Sequence, residues 1–423
     1  MRKRILFKGP LLTRSGYGEQ SRFALRALRS REDLFEIFIQ PIQWGKTSWT
    51  SEMDEERLWV DQTIEKTIAY IQQGGQFDMS FQVTIPNEWE KLAPINIGHT
   101  AGIETNKVAP LWLQKGNENV NKIITISNHS KDVYKNTVAI AQDAQTGNKF
   151  DYNLQVPIEC VNYPAKTFSE LPELDINLQT SFNFLTVAQF GPRKNLPNTI
   201  KWFVEEFRDE DVGLLIKTNI VKNSTMDRET IHADLQNFLK DYKDRNCKVY
   251  LLHGDMTDEE MHALYKNSNV DALLALPHGE GFGLPIWEAA YSGLPVVATG
   301  WSGQLDFLVD EEGKEHFYNV AFDLQPVQDS VVWENIIIKE SMWAYPREQS
   351  AKQQMRLCYE QMTNEETRGT EMTALEQYAK SLHERFSAEK QYAKIVNCLG
   401  DYVQNAGSDD WLDEISDIIK EYE

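Results

Sequence analysis

The sequence predicts an α/β protein of two parallel-sheet domains, and three observations predict it. Short runs of β-branched, aliphatic and aromatic residues alternate with helical patterns along most of the chain, the layering that covers parallel sheets with helices. The alternation halts at a polar stretch with two prolines, residues 164–181, and restarts beyond it. The length of 423 residues holds two or three domains at about 150 residues each.

The elements follow in order. Residues 5–7 form a strand, the loop 9–18 follows, and a helix then carries Phe23, Ala24, Ala27 and Leu28 on one face. Residues 35–39 and 77–83 are the next strands. Residues 95–98 and 123–126 are short apolar runs, the second leading into a helix through Ser127, and 158–161 is the last strand of this half. These residues, 1–165, make an N-terminal domain, and 166–181 a linker. A second series, 184–188, 213–216, 249–252, 272–276 and 296–298, builds a C-terminal domain over 182–379. No strand signal of comparable quality follows residue 322. Residues 347–400 are helical in pattern, with Ser387 as an N-cap, and helices from about 380 to 423 complete the first domain. Beyond Asn405, Trp411, Leu412, Ile415, Ile418 and Ile419 recur at helical spacing among seven acidic residues and Lys420, a solvated amphipathic helix.

Composition narrows the function. With 43 basic and 64 acidic side chains the net charge is −21, which argues against bulk attraction to nucleic acid or an anionic membrane but leaves room for a local basic cleft. A hydrophobic fraction of 41% without low-complexity tracts excludes disordered and fibrous classes. Cys160, Cys247, Cys358 and Cys398 are far apart and form no CxxC pair, which suits reduced thiols rather than disulfides or zinc. The N-terminus starts like a signal peptide, but its apolar run stops after three residues. No stretch reaches the roughly 18 apolar residues of a membrane span. A cytoplasmic location is expected.

The strongest local pattern is Ala275-Leu-Pro-His278-Gly-Glu280-Gly-Phe-Gly283-Leu-Pro285-Ile-Trp-Glu288, continuing to Gly293-Leu-Pro-Val-Val-Ala-Thr299. A buried strand ends in a glycine-bearing loop, Pro285 opens a helix where its missing N–H costs nothing, and Gly293 closes that helix at C′. Backbone N–H groups of Phe282, Gly283 and Leu284 then lie at the positive end of the helix dipole, a setting that favours phosphate. Glu280 and Glu288 bracket the turn as acceptors for ribose or sugar hydroxyls. The plain reading, a dipole-complementing Glu288 and a solvated Glu280, weakens because strand, glycines, proline and helix occur in register.

Glu280, seven residues, Glu288 and the following Gly-Leu-Pro-Val-Val-Ala-Thr resemble the signature of the retaining family-4 glycosyltransferases (glycosyl transferases group 1). Gly254-Asp-Met-Thr-Asp-Glu-Glu-Met-His-Ala-Leu-Tyr, Ile124-Thr-Ile-Ser127-Asn-His-Ser-Lys and Arg385-Phe-Ser-Ala-Glu-Lys resemble further segments of that family. The run from Gln82-Val-Thr-Ile-Pro-Asn-Glu-Trp to Gly98-His-Thr-Ala-Gly-Ile-Glu-Thr is similar to uncharacterised glycosyltransferases of large tailed phages. The resemblance implies a GT-B fold, two Rossmann-like parallel-sheet domains facing each other across a cleft. It implies transfer of a sugar from a UDP- or GDP-linked donor with retention, without a cofactor or essential metal. By the same resemblance Glu288 holds the ribose hydroxyls, Glu280 the donor sugar, and the Phe282, Gly283 and Leu284 amides sugar and phosphate. Gly16 and Gly18 match the glycine loop that approaches the diphosphate, His99 a histidine near the reacting sugar, and Arg193 and Lys194 the cationic site that stabilises the departing diphosphate.

Two positions depart from the family. Gln189 stands where an arginine is usual, with Arg193 as its substitute, and Asn162-Tyr-Pro-Ala replaces the usual turn before the linker. The acceptor is open: a glycan, a small molecule or, on the phage resemblance, a hydroxymethylated base in DNA, with the enzyme then in the host cytoplasm. The oligomeric state is not legible. A non-catalytic nucleotide-sugar-binding protein is the other class of reading. A nicotinamide dehydrogenase fits poorly, because Gly16-x-Gly18 lacks its third glycine (Ser21) and the second strand ends in Gln40. Asp209-Glu-Asp211 precedes a strand and reads as a turn rather than a metal site. Lys217 ends a strand on the cleft side, where a structural role is equally supported. Trp44 and Trp49 suit surface packing first and stacking on an acceptor sugar second.

Overall fold

In the computed structural model, which describes residues 2–45, 47–50, 52–220 and 223–403, the strand signals of each half gather into one six-stranded parallel sheet. The chain divides into two units. The first comprises Met1–Pro164, Gln328–Ser341 and Arg385–Glu423, the second Ala165–Val327 and Met342–Glu384.

The first unit runs β1 (Lys3–Gly9), α1 (Gly16–Arg29), β2 (Phe35–Pro41), α2 (Glu55–Gln72), β3 (Met79–Val83), β4 (Ile95–Thr100), α3 (Pro110–Asn119), β5 (Lys122–Thr125), α4 (Asn128–Asn136), β6 (Ala139–Gln142), β7 (Lys149–Tyr152) and β8 (Ile158–Cys160). Its sheet order is β2-β1-β3-β4-β5-β8, every pair parallel. Helix α1 begins because the Ser15 hydroxyl accepts the Gly18 N–H at 2.9 Å, and it buries Phe23, Ala24, Ala27 and Leu28 against the sheet. Ser127 caps α4 in the same way, accepting from the Ser130 N–H at 3.1 Å. The hairpin β6–β7 lies outside that sheet.

The second unit continues with β9 (Phe182–Val187), α5 (Leu196–Glu206), β10 (Val212–Lys217), α6 (Thr225–Leu239), β11 (Lys248–Leu252), α7 (Asp258–Tyr265), β12 (Ala272–Ala275), α8 (Leu284–Tyr291), β13 (Val296–Thr299), α9 (Leu305–Leu308), β14 (Tyr318–Val320), β15 (Phe322–Pro326), β16 (Met342–Pro346), α10 (Glu348–Thr363) and α11 (Glu365–Arg385). Sheet order is β11-β10-β9-β12-β13-β14, again parallel throughout. Its core joins Phe184, Phe203, Phe207 and Leu214 to Met355 and Cys358 of α10. Strands in such a sheet are buried on both faces, which is why β10, β12 and β13 read as largely apolar runs, while β9 also buries Asn183 and Thr186.

Three features differ from the sequence expectation. The antiparallel hairpin β15–β16 follows residue 322, where no strand was expected. Its first strand has no buried residue, so it shows no inward-facing period. Residues 328–341 group with the first unit, and Ile336 and Ile338 pack on its Trp89–Trp112 cluster. The stretch expected as a linker lies along the second unit: Asn267 and Asn269 donate to the Leu174 and Ile176 carbonyls at 3.0 and 2.9 Å, and Lys166 pairs with Asp258 at 2.8 Å.

Two helices, α12 (Ala388–Asn397) and α13 (Gly400–Val403), belong to the first unit. Ser387 caps α12 through the Lys390 N–H, and Tyr392 stacks on Phe23 of α1 with ring centroids 6.0 Å apart. The amphipathic pattern beyond Asn405 lies outside the described residues. Among the described residues no helix is long and apolar enough to cross a membrane, and no cluster of His, Cys, Asp and Glu has metal-site geometry.

Candidate active site

Strand β12 delivers the chain into the loop 276–283, and the loop delivers it into α8. Gly283 is the N-cap at φ 92°, a left-handed conformation suited to glycine, and it offers no side chain to cap the helix. Pro285 falls in the first turn, where its missing N–H breaks no helical bond. At the other end Gly293, at φ 79°, donates to the Ala290 carbonyl and Leu294 to the Ala289 carbonyl, at 3.1 and 3.0 Å. These two bonds form a Schellman closure. The first turn of α8 therefore presents backbone donors without a side-chain cap, at the positive end of its dipole.

Glu280, only 7% exposed, sits just before that turn. Arg193 Nη1 donates to its carboxylate at 2.8 Å and Lys194 Nζ at 2.5 Å. Burial, the largest single influence, would raise the Glu280 pKa. The two cations together outweigh it and hold the carboxyl ionised, below the usual carboxylate range. Arg193 and Lys194 come from the turn Pro192–Lys194 after β9, which is fixed onto the β12 loop by three bonds. His278 N–H donates to the Arg193 carbonyl at 2.8 Å, Arg193 Nη1 to the Gly279 carbonyl at 2.8 Å, and Asn195 Nδ2 to the Leu276 carbonyl at 3.1 Å. Lys194 and Glu280 line, with Thr186, Ala188, Ala275 and Ile286, a small cavity of about 20 Å3 at the carboxyl ends of β9 and β12, room for about one water.

A second loop braces Glu280, and sequence reasoning missed it. The Glu280 N–H donates to Ser302 Oγ at 2.9 Å, the Ser302 hydroxyl to Gln304 Oε1 at 3.0 Å, and Gln304 Nε2 to the Thr299 carbonyl at 2.9 Å. The Gly303 N–H returns to the Glu280 carbonyl at 3.0 Å. Ser302 holds φ 80°, a left-handed conformation that costs a non-glycine residue about 1–2 kcal/mol. A Cβ on Gly303 would lie 2.1 Å from the Gly281 oxygen, so only glycine fits there. The available signal was Gly300-Trp-Ser-Gly303 directly after a strand, a second loop at the same end of the sheet.

Glu288, half-buried on α8, accepts the Tyr265 hydroxyl at 3.0 Å. Burial first, and the neighbouring carboxylate second, push the Tyr265 phenol far up, so it remains a donor. Lys217 donates to the Gly254 carbonyl at 2.6 Å, and burial lowers its pKa, which places it in loop support. Gln189 donates to the Ile220 carbonyl at 2.7 Å, while Arg193 turns to Glu280. Asp211 bonds Ser181 in a turn before β10, as the sequence implied.

The first unit treats its expected site residues differently. Gly16 is exposed, with open space where a Cβ would stand, whereas Gly18 is buried with the Thr13 oxygen 2.1 Å from any Cβ. A close backbone approach thus accounts for the glycine at 18. His99 is fully buried, flanked by Phe81 and Phe23 with centroids at 5.6 and 6.5 Å. Neither ring nitrogen has a partner, and burial lowers its pKa to about 3, leaving a neutral ring. The cause is its position inside the β4–β5 ladder, opposite Ile124, where both faces of the sheet are covered. Trp44 packs on Tyr17 at 4.2 Å, and Trp49 is 49% exposed.

The chain is similar to known proteins in part of its sequence and in its fold. The sequence model of the family described as glycosyl transferases group 1 matches residues 176–320, all within the second unit. No curated protein matches the chain in sequence. Among solved structures, a glycosyltransferase from Rickettsia africae is similar with a TM-score of 0.58 at 13% identity, over 96% of this chain and 100% of that one. Sucrose-phosphate synthase from Thermosynechococcus elongatus gives 0.60 at 12% identity, over 96% and 100%. Anabaena HepE, solved with UDP and glucose, gives 0.56 at 14% identity, over 95% and 100%. At such identities the likeness is one of fold, and the fold is GT-B with two Rossmann-like domains. Over residues 176–320, then, the chain is similar to the family described as glycosyl transferases group 1, and it carries that likeness on a GT-B fold.

Proposed function

We propose that the protein transfers a sugar from a nucleoside diphosphate sugar to an acceptor hydroxyl, with retention at the anomeric carbon and without a metal. The carrying observation is the Glu280 carboxylate held ionised between Arg193 and Lys194 beside the uncapped start of α8. One carboxylate against two cations leaves the cluster at net +1, next to helix amides that favour phosphate. An incoming diphosphate takes the amides of Phe282, Gly283 and Leu284 and shares the two cations with Glu280. Glu280 accepts from donor-sugar hydroxyls, and Glu288, already oriented by Tyr265, accepts from the ribose. As the glycosidic bond to phosphate breaks, charge grows on the leaving oxygen, and Arg193 and Lys194 stabilise it without reorganising. The cations thereby do at this site what a metal does elsewhere.

The acceptor stays a glycan or small molecule, since no described feature favours modified DNA. Buried thiols at Cys247, Cys358 and Cys398 support a reducing, cytoplasmic setting. Similar structures solved with UDP make UDP-sugars the first donors to try, and GDP-sugars the second.

A thermal-shift series with UDP, GDP, UDP-glucose and a GDP-sugar tests the reading. A ligand at a hundred times its Kd stabilises by about 2.7 kcal/mol, a shift of several degrees. No shift with any of them at millimolar concentration would overturn it. Binding without turnover in the presence of varied acceptors, in wild type as in Glu280→Ala, would instead support the non-catalytic binder.

A further inference from the structure

With 64 acidic side chains against 43 basic ones, cations in this chain have carboxylates to spare as partners. One groove of the second unit goes against that composition. It lies between α6 and β11, has a volume of about 830 Å3, and is lined by Arg228, Lys240, Lys243 and Arg245 against a single carboxylate, Glu229. None of the four cations forms an ion pair among the described residues. Lys240 Nζ donates to Asn237 Oδ1 at 3.1 Å and Arg245 Nη1 to the Tyr242 carbonyl at 2.8 Å, both neutral acceptors.

The groove also borders an open sheet edge, because β11 is the terminal strand of its sheet. The Leu252 carbonyl accepts from Thr218 at 3.3 Å, toward the β10 side. By the two-residue period of a strand, the backbone N–H and C=O groups of Val249 and Leu251 point outward, away from β10. Their side chains, with Leu235 and Leu239, give the groove apolar lining between the cations.

We infer that this groove docks an extended acidic segment of a partner polypeptide, which adds a strand to β11. The ladder to Val249 and Leu251 supplies main-chain bonds, alternate side chains of the segment reach the apolar lining, and its carboxylates meet the four cations. Nucleic acid fits less well. Its phosphates form no ladder with a strand edge, and a long polyanion meets the repulsion of a surface at net −21. The competing role for the cations is protection, since charged side chains on an edge strand keep other chains from pairing there.

A fluorescein-labelled alternating Glu-Val peptide, titrated into the full chain at low salt and followed by anisotropy, separates these roles. The expected result is saturable binding, weakened about tenfold by Lys243→Glu or Arg228→Glu, each at an exposed position and each checked for an unchanged melting temperature. The Val249 and Leu251 amides gain exchange protection, and the same peptide N-methylated at alternate amides no longer binds. Absence of saturable binding overturns the inference, as does equal binding of the N-methylated peptide. So does charge-dependent capture of duplex DNA where the peptide fails. Self-association of Lys243→Glu, in a chain whose wild type ignores the peptide, would assign the cations to edge protection instead.

Discussion

Glu280 and His99 make an instructive pair. Each is a residue of catalytic type near the carboxyl end of a central parallel strand, and the sequence offers both as site residues. Glu280 lies beyond the last residue of β12, in a loop, where its carboxylate meets two cations and its backbone is held by Ser302 and Gly303. His99 lies inside β4, still paired with Ile124, and is walled in by aromatic rings with both nitrogens unpartnered. The difference of a few residues relative to the strand's end decides whether a buried polar side chain meets charged partners or is enclosed among rings.

Substitution at the two positions breaks the comparison most sharply. Glu280→Gln leaves Arg193 and Lys194 facing a neutral amide and is expected to lower kcat for donor turnover by about 100-fold or more, the scale of losing one preorganised electrostatic group. His99→Leu, at similar volume, is expected to leave kcat unchanged and to raise stability by about 1 kcal/mol or more, because it removes buried polar atoms that lack partners. Kinetics and a denaturation curve on each variant check both. A loss of kcat in His99→Leu with unchanged stability would return His99 to the site.

The brace is the next test. Ser302→Gly relaxes the left-handed backbone while deleting the hydroxyl that receives the Glu280 N–H, so stability is expected to hold while kcat falls by about tenfold, or 1.4 kcal/mol. A purely structural serine would give the reverse, a lower melting point with kcat intact.

The pH dependence of stability separates the two residues more gently. The folded-state pKa of His99, about 3, lies below the ordinary 6.5, so the unfolded chain takes up a proton first. Stability is then full above pH 6.5 and declines as pH falls toward 3, by up to about 1.4 kcal/mol per pH unit for this one group. His129 and His262, each lowered to about 4 mainly by burial, add to the same window. Glu280 acts lower: its folded pKa is depressed, so its contribution is present above its ordinary value of 4.5 and is lost as pH falls through the folded value. His99→Leu should flatten the slope between pH 6.5 and 4.5, and Glu280→Gln should leave that slope alone. The smallest effect is expected from Tyr265→Phe, which deletes one bond to Glu288 and should weaken donor affinity by a few-fold, about 0.5–1.5 kcal/mol.

Much of the fold is legible because parallel strands buried on both faces announce themselves as apolar runs, as β10, β12 and β13 do. Strands β6, β7 and β15 are not, since they contain no buried residue to set a period. In the site, strand, glycines, Pro285 and Gly293 are local features and read directly. The ion cluster is not local: Glu280 follows Arg193 by 87 positions, so sequence can nominate each residue but not their meeting. The same holds for Ser302 and Gln304, whose role depends on one loop lying against another at a distance that only Gly303 permits. For His99 the residue type is legible in sequence, while its place inside the β4–β5 ladder is not.

Isothermal titration of UDP and of GDP into the wild-type protein and into Lys194→Ala tests the central claim most directly. The account predicts saturable binding of one nucleotide, weakened at least about tenfold when the Lys194 ammonium is removed. Binding of neither nucleotide at millimolar concentration, or equal affinity in Lys194→Ala, would contradict it.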